Sequence, residues 1–139
     1  MGISEDAIEF VKRNKKFIIN KFVDDSRQKS FQAPISFFMA GSPGAGKTEF
    51  SKNFIRLVEK SMSQKLAEAG YSEPFTIVRI DGDDIREMLP GYVGNNSHLF
   101  QCAISLGVNK LYDYVLEKKL NVLVDGTFSS EKYAIENIK

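Results

Sequence analysis

The stretch GSPGAGKT, residues 41–48, sets three glycines and a proline directly ahead of a lysine and a threonine. Glycine leaves φ unrestricted, so successive backbone N–H groups can turn toward one point. At a helix N-terminus such a ring of donors cradles phosphate oxygens. Lys47 is then placed to reach β- and γ-phosphates, and Thr48 to offer its hydroxyl to Mg²⁺. The expected nucleotide cradle is Gly41, Ser42, Pro43, Gly44, Ala45, Gly46, Lys47 and Thr48, with Glu49 behind it. The competing reading is a flexible surface loop. It leaves unexplained why the stretch follows an apolar run and opens a helical pattern, the two contexts the motif requires. The glycine order is not G-x-G-x-x-G, which disfavours a dinucleotide fold.

Two further clusters carry acids. In IDGDDIR, residues 80–86, Asp81 closes an apolar run and Asp83 and Asp84 sit on the turn behind it. Carboxylates there can take a proton from an acceptor hydroxyl or ligate metal; equally, Asp83 or Asp84 can cap the next helix. In LVDGTF, residues 123–128, Asp125 ends a second apolar run, the place from which a P-loop protein supplies another, often water-mediated, Mg²⁺ contact. Thr127 is close enough in sequence to meet phosphate or substrate. Asp81, Asp84, Arg86, Asp125 and Thr127 are therefore the expected substrate contacts, and Thr48 and Asp125 the expected metal contacts. His98, the one histidine, reads better as a surface residue than as a ligand, and Cys102 as a small buried side chain rather than a reactive thiol.

The elements that must position these groups follow from periodicity. Ser4 and the acids behind it mark a helix start, and Ile8, Val11, Ile18 and Phe22 predict one helix over 5–24, with Lys12, Arg13, Lys15 and Lys16 on its wet side. Residues 24–34 are a polar connection. ISFFMA, 35–40, has the length of a buried strand. Phe50, Phe54, Leu57 and Val58 mark a helical face from Lys47 to about Ala69, stopped by Gly70. FTIVRID, 75–81, predicts a strand, DDIREML a short helix closed by Pro90, and 90–97 a loop. Leu99, Ala103, Leu106 and Leu111 predict a helix over 97–118, with Gly107 a weak point; NVLVD, 121–125, is a third strand, and SSEKYAIENIK opens another helix. Strands alternating with long helices give an α/β fold with a mostly parallel sheet, whose ligand lies outside the carboxyl ends of the strands. All three strands deliver polar groups to that edge.

The totals set limits. With 139 residues, 42% hydrophobic and 27% charged, the chain suits one core. A net charge of +1 offers no field that selects nucleic acid or a membrane surface. The single cysteine excludes an internal disulfide and fits a reducing cytoplasm, and no apolar run reaches the roughly 18 residues of a membrane span.

MAGSPGAGKTEFSK, then RIDGDDIREMLPGY, then VLVDGTF resemble, in order and spacing, the zeta-toxin family of P-loop kinases over about residues 35–135. The resemblance implies a P-loop NTPase-type three-layer sandwich: an N-terminal helix and linker at 1–30 and a kinase core at 31–139, the sheet incomplete on its C-terminal side. It implies ATP or GTP with Mg²⁺, and transfer of the γ-phosphate to a hydroxyl of a small molecule, a UDP-amino sugar such as UDP-N-acetylglucosamine in the toxins. It also implies an antitoxin partner. By motif, Asp83 is the base that takes the acceptor proton, and Lys47 the catalytic cation. Asp125 stands where the toxins usually carry glutamate in an acid-Gly-Thr motif, and Thr127 matches its threonine.

One departure bears on activity. Family members continue beyond acid-Gly-Thr with arginines that close over the transferring phosphate, whereas this chain stops at Lys139. Such arginines are worth about 10³–10⁵ in rate. Unless Arg79, Arg86 or a partner substitutes, a fragment of this kind is expected to bind nucleotide better than it turns it over. The rival functions are thus a kinase of the toxin type, another small-molecule kinase on the same scaffold, and a nucleotide-binding module without turnover.

Overall fold

The computed structural model describes residues 2–39, 47–92 and 100–125. In chain order they form α1 (Ile3–Arg13), α2 (Lys15–Phe22), β1 (Ser36–Met39), α3 (Lys47–Glu68), β2 (Ile77–Asp81), α4 (Gly82–Met88), α5 (Gln101–Glu117) and β3 (Asn121–Asp125). The three strands make one parallel sheet in the order β1-β3-β2. Met39, Asp125 and Asp81 lie at the same level, so both strand-terminal acids stand side by side at the carboxyl edge.

Alternation along the strands builds two layers around the sheet. Val78, Ile80, Val122 and Val124 join the larger core with α1, α2, α4 and α5, through Ala7, Val11, Ile18, Ile85, Ile104 and Leu111. Ile77 and Leu123 face the other way, onto Ile55 of α3, with Phe37, Met39, Phe54 and Val58 against them. The odd-numbered positions of β2 and β3 therefore point toward α3. That parity sends Arg79, Asp81 and Asp125 toward α3. Helix–sheet–helix layers around a parallel sheet are the expected architecture, and the three strands are only part of such a sheet.

Side chains finish the sheet where backbone pairing stops. On the outer edge of β2, Ile77 N–H donates to Glu59 Oε2 at 2.8 Å, and Gln28 Nε2 donates to the Ile77 carbonyl at 3.5 Å. An edge satisfied in this way offers no template there for another strand. At the start of β3, Asn121 is almost fully buried and accepts from Ile35 N–H at 2.9 Å while donating to the Thr76 carbonyl at 3.1 Å. One amide thereby ties all three strands together.

Several boundaries differ from expectation. The predicted helix over 5–24 is two helices, broken at Asn14 (φ −115°, ψ 33°), whose Nδ2 donates to the Phe10 carbonyl at 2.9 Å. The cap of α1 is Gly2, with no side-chain bond, so Ser4 lies inside the first turn. On α3, Phe54 and Val58 pack inward, but Phe50 is 62% and Leu57 70% exposed. The expected apolar face is wider than what the described sheet covers. Cys102 is exposed, because the buried stripe of α5 runs through Ala103, Ile104, Gly107, Val108 and Leu111 and leaves 102 outside it. Gly70 does stop α3: at φ +93° it lets its own N–H reach Ala67 and the Tyr71 N–H reach Leu66. The helix expected over SSEKYAIENIK, residues 93–97 of the loop expected over 90–97, His98 and Leu99 lie outside the described residues.

Candidate active site

Lys47 opens α3, as the cradle motif requires, and Thr48 and Glu49 are exposed in the same first turn. Gly41, Ser42, Pro43, Gly44, Ala45, Gly46 and Thr127 lie outside the described residues. What the structure brings together behind that helix start is a charged cluster. Asp81 and Asp125 are 5% and 0% exposed, and between them lies the guanidinium of Arg79. Its Nη2 donates to Asp81 Oδ2 at 2.9 Å and to Asp125 Oδ2 at 2.7 Å. Its Nε donates to Ser51 Oγ at 2.9 Å. Ser51, fully buried, has one hydroxyl proton, with Asp125 Oδ2 and the Thr48 carbonyl each 3.0 Å away. The cluster therefore joins β2, β3 and the first turns of the P-loop helix.

The remaining acids sit one layer outward. Asp81 is the cap of α4: its Oδ1 accepts the Asp83 N–H at 2.9 Å. The capping role open to Asp83 or Asp84 thus belongs to Asp81, and the carboxylates of the other two are left to other tasks. Asp83 is 45% exposed and takes Arg86 Nη1 at 2.9 Å. Arg86 Nε is buried and has no hydrogen-bond partner among the described residues. Asp84 is 52% exposed, 3.6 Å from Arg79 Nη1. Burial first, and the charge of Asp81 second, hold its carboxyl above the usual value of 3.8.

A metal has to fit these donors. Asp125 Oδ2 already accepts from a guanidinium and lies beside a hydroxyl, so that oxygen suits an outer position, reached through water, better than direct ligation. Among the described residues no group of three acids, histidines or cysteines is arranged to hold a metal ion. Thr48, exposed at the helix start, is the donor whose position agrees with direct contact.

Sequence reading missed the part played by Arg79 and Ser51. Arg79 entered only as a replacement for a missing lid arginine, yet it is 13% exposed and its Nε and Nη2 are committed to the cluster. The available signal was parity: Arg79 is two residues before Asp81, hence on the same face. Ser51 precedes Ile55 by one helical turn, and Ile55 packs on the sheet, so Ser51 faces the sheet as well.

A family model, Zeta toxin, matches residues 19–139. The chain belongs to the Zeta toxin family. A solved structure from the PezAT chromosomal toxin–antitoxin system of Streptococcus pneumoniae is similar, with TM-score 0.57 and 23% identity over 91% of this chain. At that identity the likeness concerns the fold, and it agrees with a P-loop NTPase-like arrangement. This chain spans about half of that one, 48%. No curated protein matches.

Among the described residues no helix is long and apolar enough to cross a membrane. A cleft of 680 Å³ runs beside the site along the outer edge of β2. Arg79, Asp84, Lys52, Arg56, Glu59 and Glu87 are among its lining residues.

Proposed function

We propose that this chain is the nucleotide-binding portion of a small-molecule kinase of the Zeta toxin type. The observation that carries the reading is the placement of Asp81, Asp83, Asp84 and Asp125 at one sheet edge, against the helix that Lys47 opens. In this reading residues 41–48 wrap the phosphates of ATP or GTP, and Glu49 supports that turn. Lys47 meets the β- and γ-phosphates, and Thr48 contacts Mg²⁺, with Asp125 acting through water. Bound Mg²⁺ supplies charge neutralisation on the phosphate oxygens.

Asp83 is the proposed base. Its carboxylate is half exposed, follows the cap of α4 and is steadied by Arg86. It takes the acceptor proton as the acceptor oxygen bonds to the γ-phosphorus and the bond to the nucleoside diphosphate breaks. Asp81, Asp84, Arg86 and Thr127 are proposed acceptor contacts. Lys52 and Arg56 in the adjoining cleft favour an acceptor that itself carries phosphate, in keeping with a UDP-amino sugar. The antitoxin partner belongs to the same proposal, from the family and from the system that contains the similar structure.

One observation favours a second reading, a nucleotide-binding module without turnover. Arg79 and Arg86, the two arginines beside the strand-end acids, are already engaged, Arg79 with Asp81 and Asp125 and Arg86 with Asp83. Phosphate transfer from γ-labelled ATP separates the two. The kinase reading expects labelled UDP-N-acetylglucosamine with the parent chain and none with Asp83→Asn. Nucleotide binding without transfer to any hydroxyl acceptor would leave the module reading.

A further inference from the structure

The two expected metal contacts come from different elements. Thr48 lies exposed in the first turn of α3, whereas Asp125 ends β3 and is sealed from water. Ser51 stands between them, three residues after Thr48 and fully buried. Its Oγ is 3.0 Å from the Thr48 carbonyl and 3.0 Å from Asp125 Oδ2, and it accepts the Arg79 Nε–H at 2.9 Å. A hydroxyl has one proton, so the helix carbonyl and the strand carboxylate share it. A serine buried on a helix can satisfy that proton locally, by bonding back to a carbonyl one turn earlier. Helix formation does not require the second acceptor, a carboxylate 74 residues away. We propose that Ser51 is a positioning residue: it sets the first turn of α3 against the end of β3, so that Thr48 and Asp125 address the same Mg²⁺.

This inference rests on the kinase reading, from which the nucleotide and Mg²⁺ come. In that reading one segment, residues 41–48, holds the phosphates, while the metal contacts are divided between α3 and β3. Phosphate binding therefore tolerates a small shift of α3 against the sheet, and metal binding does not. Asp125 has other ties, Arg79 Nη2 at 2.7 Å among them, and α3 is also seated through Ile55 in the apolar cluster of Leu123. Those contacts hold the strand end and the body of the helix. Ser51 adds a single atom within hydrogen-bond reach of both the Thr48 backbone and the Asp125 carboxylate.

Calorimetric titration with ATP, once in excess Mg²⁺ and once in EDTA, tests it through the ratio of the two affinities. Ser51→Ala is expected to keep its metal-free ATP affinity and to lose about tenfold of the Mg²⁺ enhancement, the scale on which partners of metal-contacting groups act. Ser51→Thr, which keeps the hydroxyl, should restore the ratio even where its extra methyl lowers the melting temperature. Ile55→Val, which thins the apolar seat of α3 one turn further on, should melt lower with the ratio unchanged. If Ser51→Ala does not fold, Ser51→Cys, whose thiol is a weak donor, carries the same direction of change. A ratio equal to the parent's in the alanine or cysteine variant would overturn the inference and leave the kinase reading standing. An equal loss in Ile55→Val, or a threonine variant that loses as much as alanine, would overturn it in the same way. A parent chain that binds no ATP, or binds it no better with Mg²⁺, would overturn both.

Discussion

At the residue scale, the site depends on where each carboxylate lies relative to water. Asp125 is sealed by the sheet, Asp81 spends one oxygen on a helix cap, and Asp83 and Asp84 reach the surface. Asp84 carries a testable signature. Its folded-state pKa is raised above 3.8, so between that value and the raised one the folded chain holds more proton than the unfolded chain. Stability contributed by Asp84 therefore falls as pH rises through this window. Denaturant titrations of the parent and Asp84→Asn across pH 3–7 should show the asparagine variant losing that component, a small one because the side chain is half exposed. An identical pH dependence in the two proteins would contradict the placement. The strand-end acids were legible in the sequence because an apolar run ending in Asp is a local pattern. Ser51 bonded to Asp125 was not, since the two are 74 residues apart and only the parallel register brings them together.

At the element scale, the seat of α4 decides where Asp83 points. Ile85 of that helix is fully buried, and a Cβ added at Gly107 of α5 would stand 3.1 Å from Ile85 Cγ2. Gly107 reads in sequence as a weak point in a helix, whereas the fold uses its missing side chain to let α5 approach α4. Gly107→Val should overpack that contact and cost about 1–3 kcal/mol in urea denaturation. If nucleotide and acceptor bind as proposed, acceptor affinity should drop while nucleotide affinity holds, because Ile85 belongs to the core on the side of the sheet away from α3. Stability equal to the parent would show that α4 has room to move. Strand positions and the long helices were readable from period and stop signals. The break at Asn14 was not, because the apolar spacing on both sides of it fits a continuous helix and only the backbone turns.

At the scale of the whole molecule, the two edges of the described three-strand sheet differ. On the β2 edge, the backbone groups of Ile77 are satisfied by Glu59 and Gln28. Beside β1, by contrast, the described residues place no further strand; Phe38 is 38% exposed on the face it shares with Tyr112 of α5, and Phe50 and Leu57 of α3 are exposed on the other side of the sheet. Apolar surface of this kind beside an unpaired strand favours association. Sedimentation of the isolated chain should show concentration-dependent self-association that the double variant Phe38→Lys/Leu57→Lys, one change on each side of the sheet, reduces; a monomer at all concentrations would mean that other residues cover these surfaces. Sequence reading predicted a helix face with Leu57 and Phe50 inside. It could not show that the three described strands are too few to cover it.

The central claim is that the helix opened by Lys47 receives nucleotide phosphates beside the Asp81–Asp125 edge. Thermal melting with and without Mg·ATP tests it most directly. At a hundredfold excess over Kd, mass action stabilises by about 2.7 kcal/mol and should raise the melting temperature by about 5–10 °C. Lys47→Ala should fold as the parent does and lose the rise. No shift in the parent chain with Mg·ATP or Mg·GTP, or an equal shift in Lys47→Ala, would contradict the account.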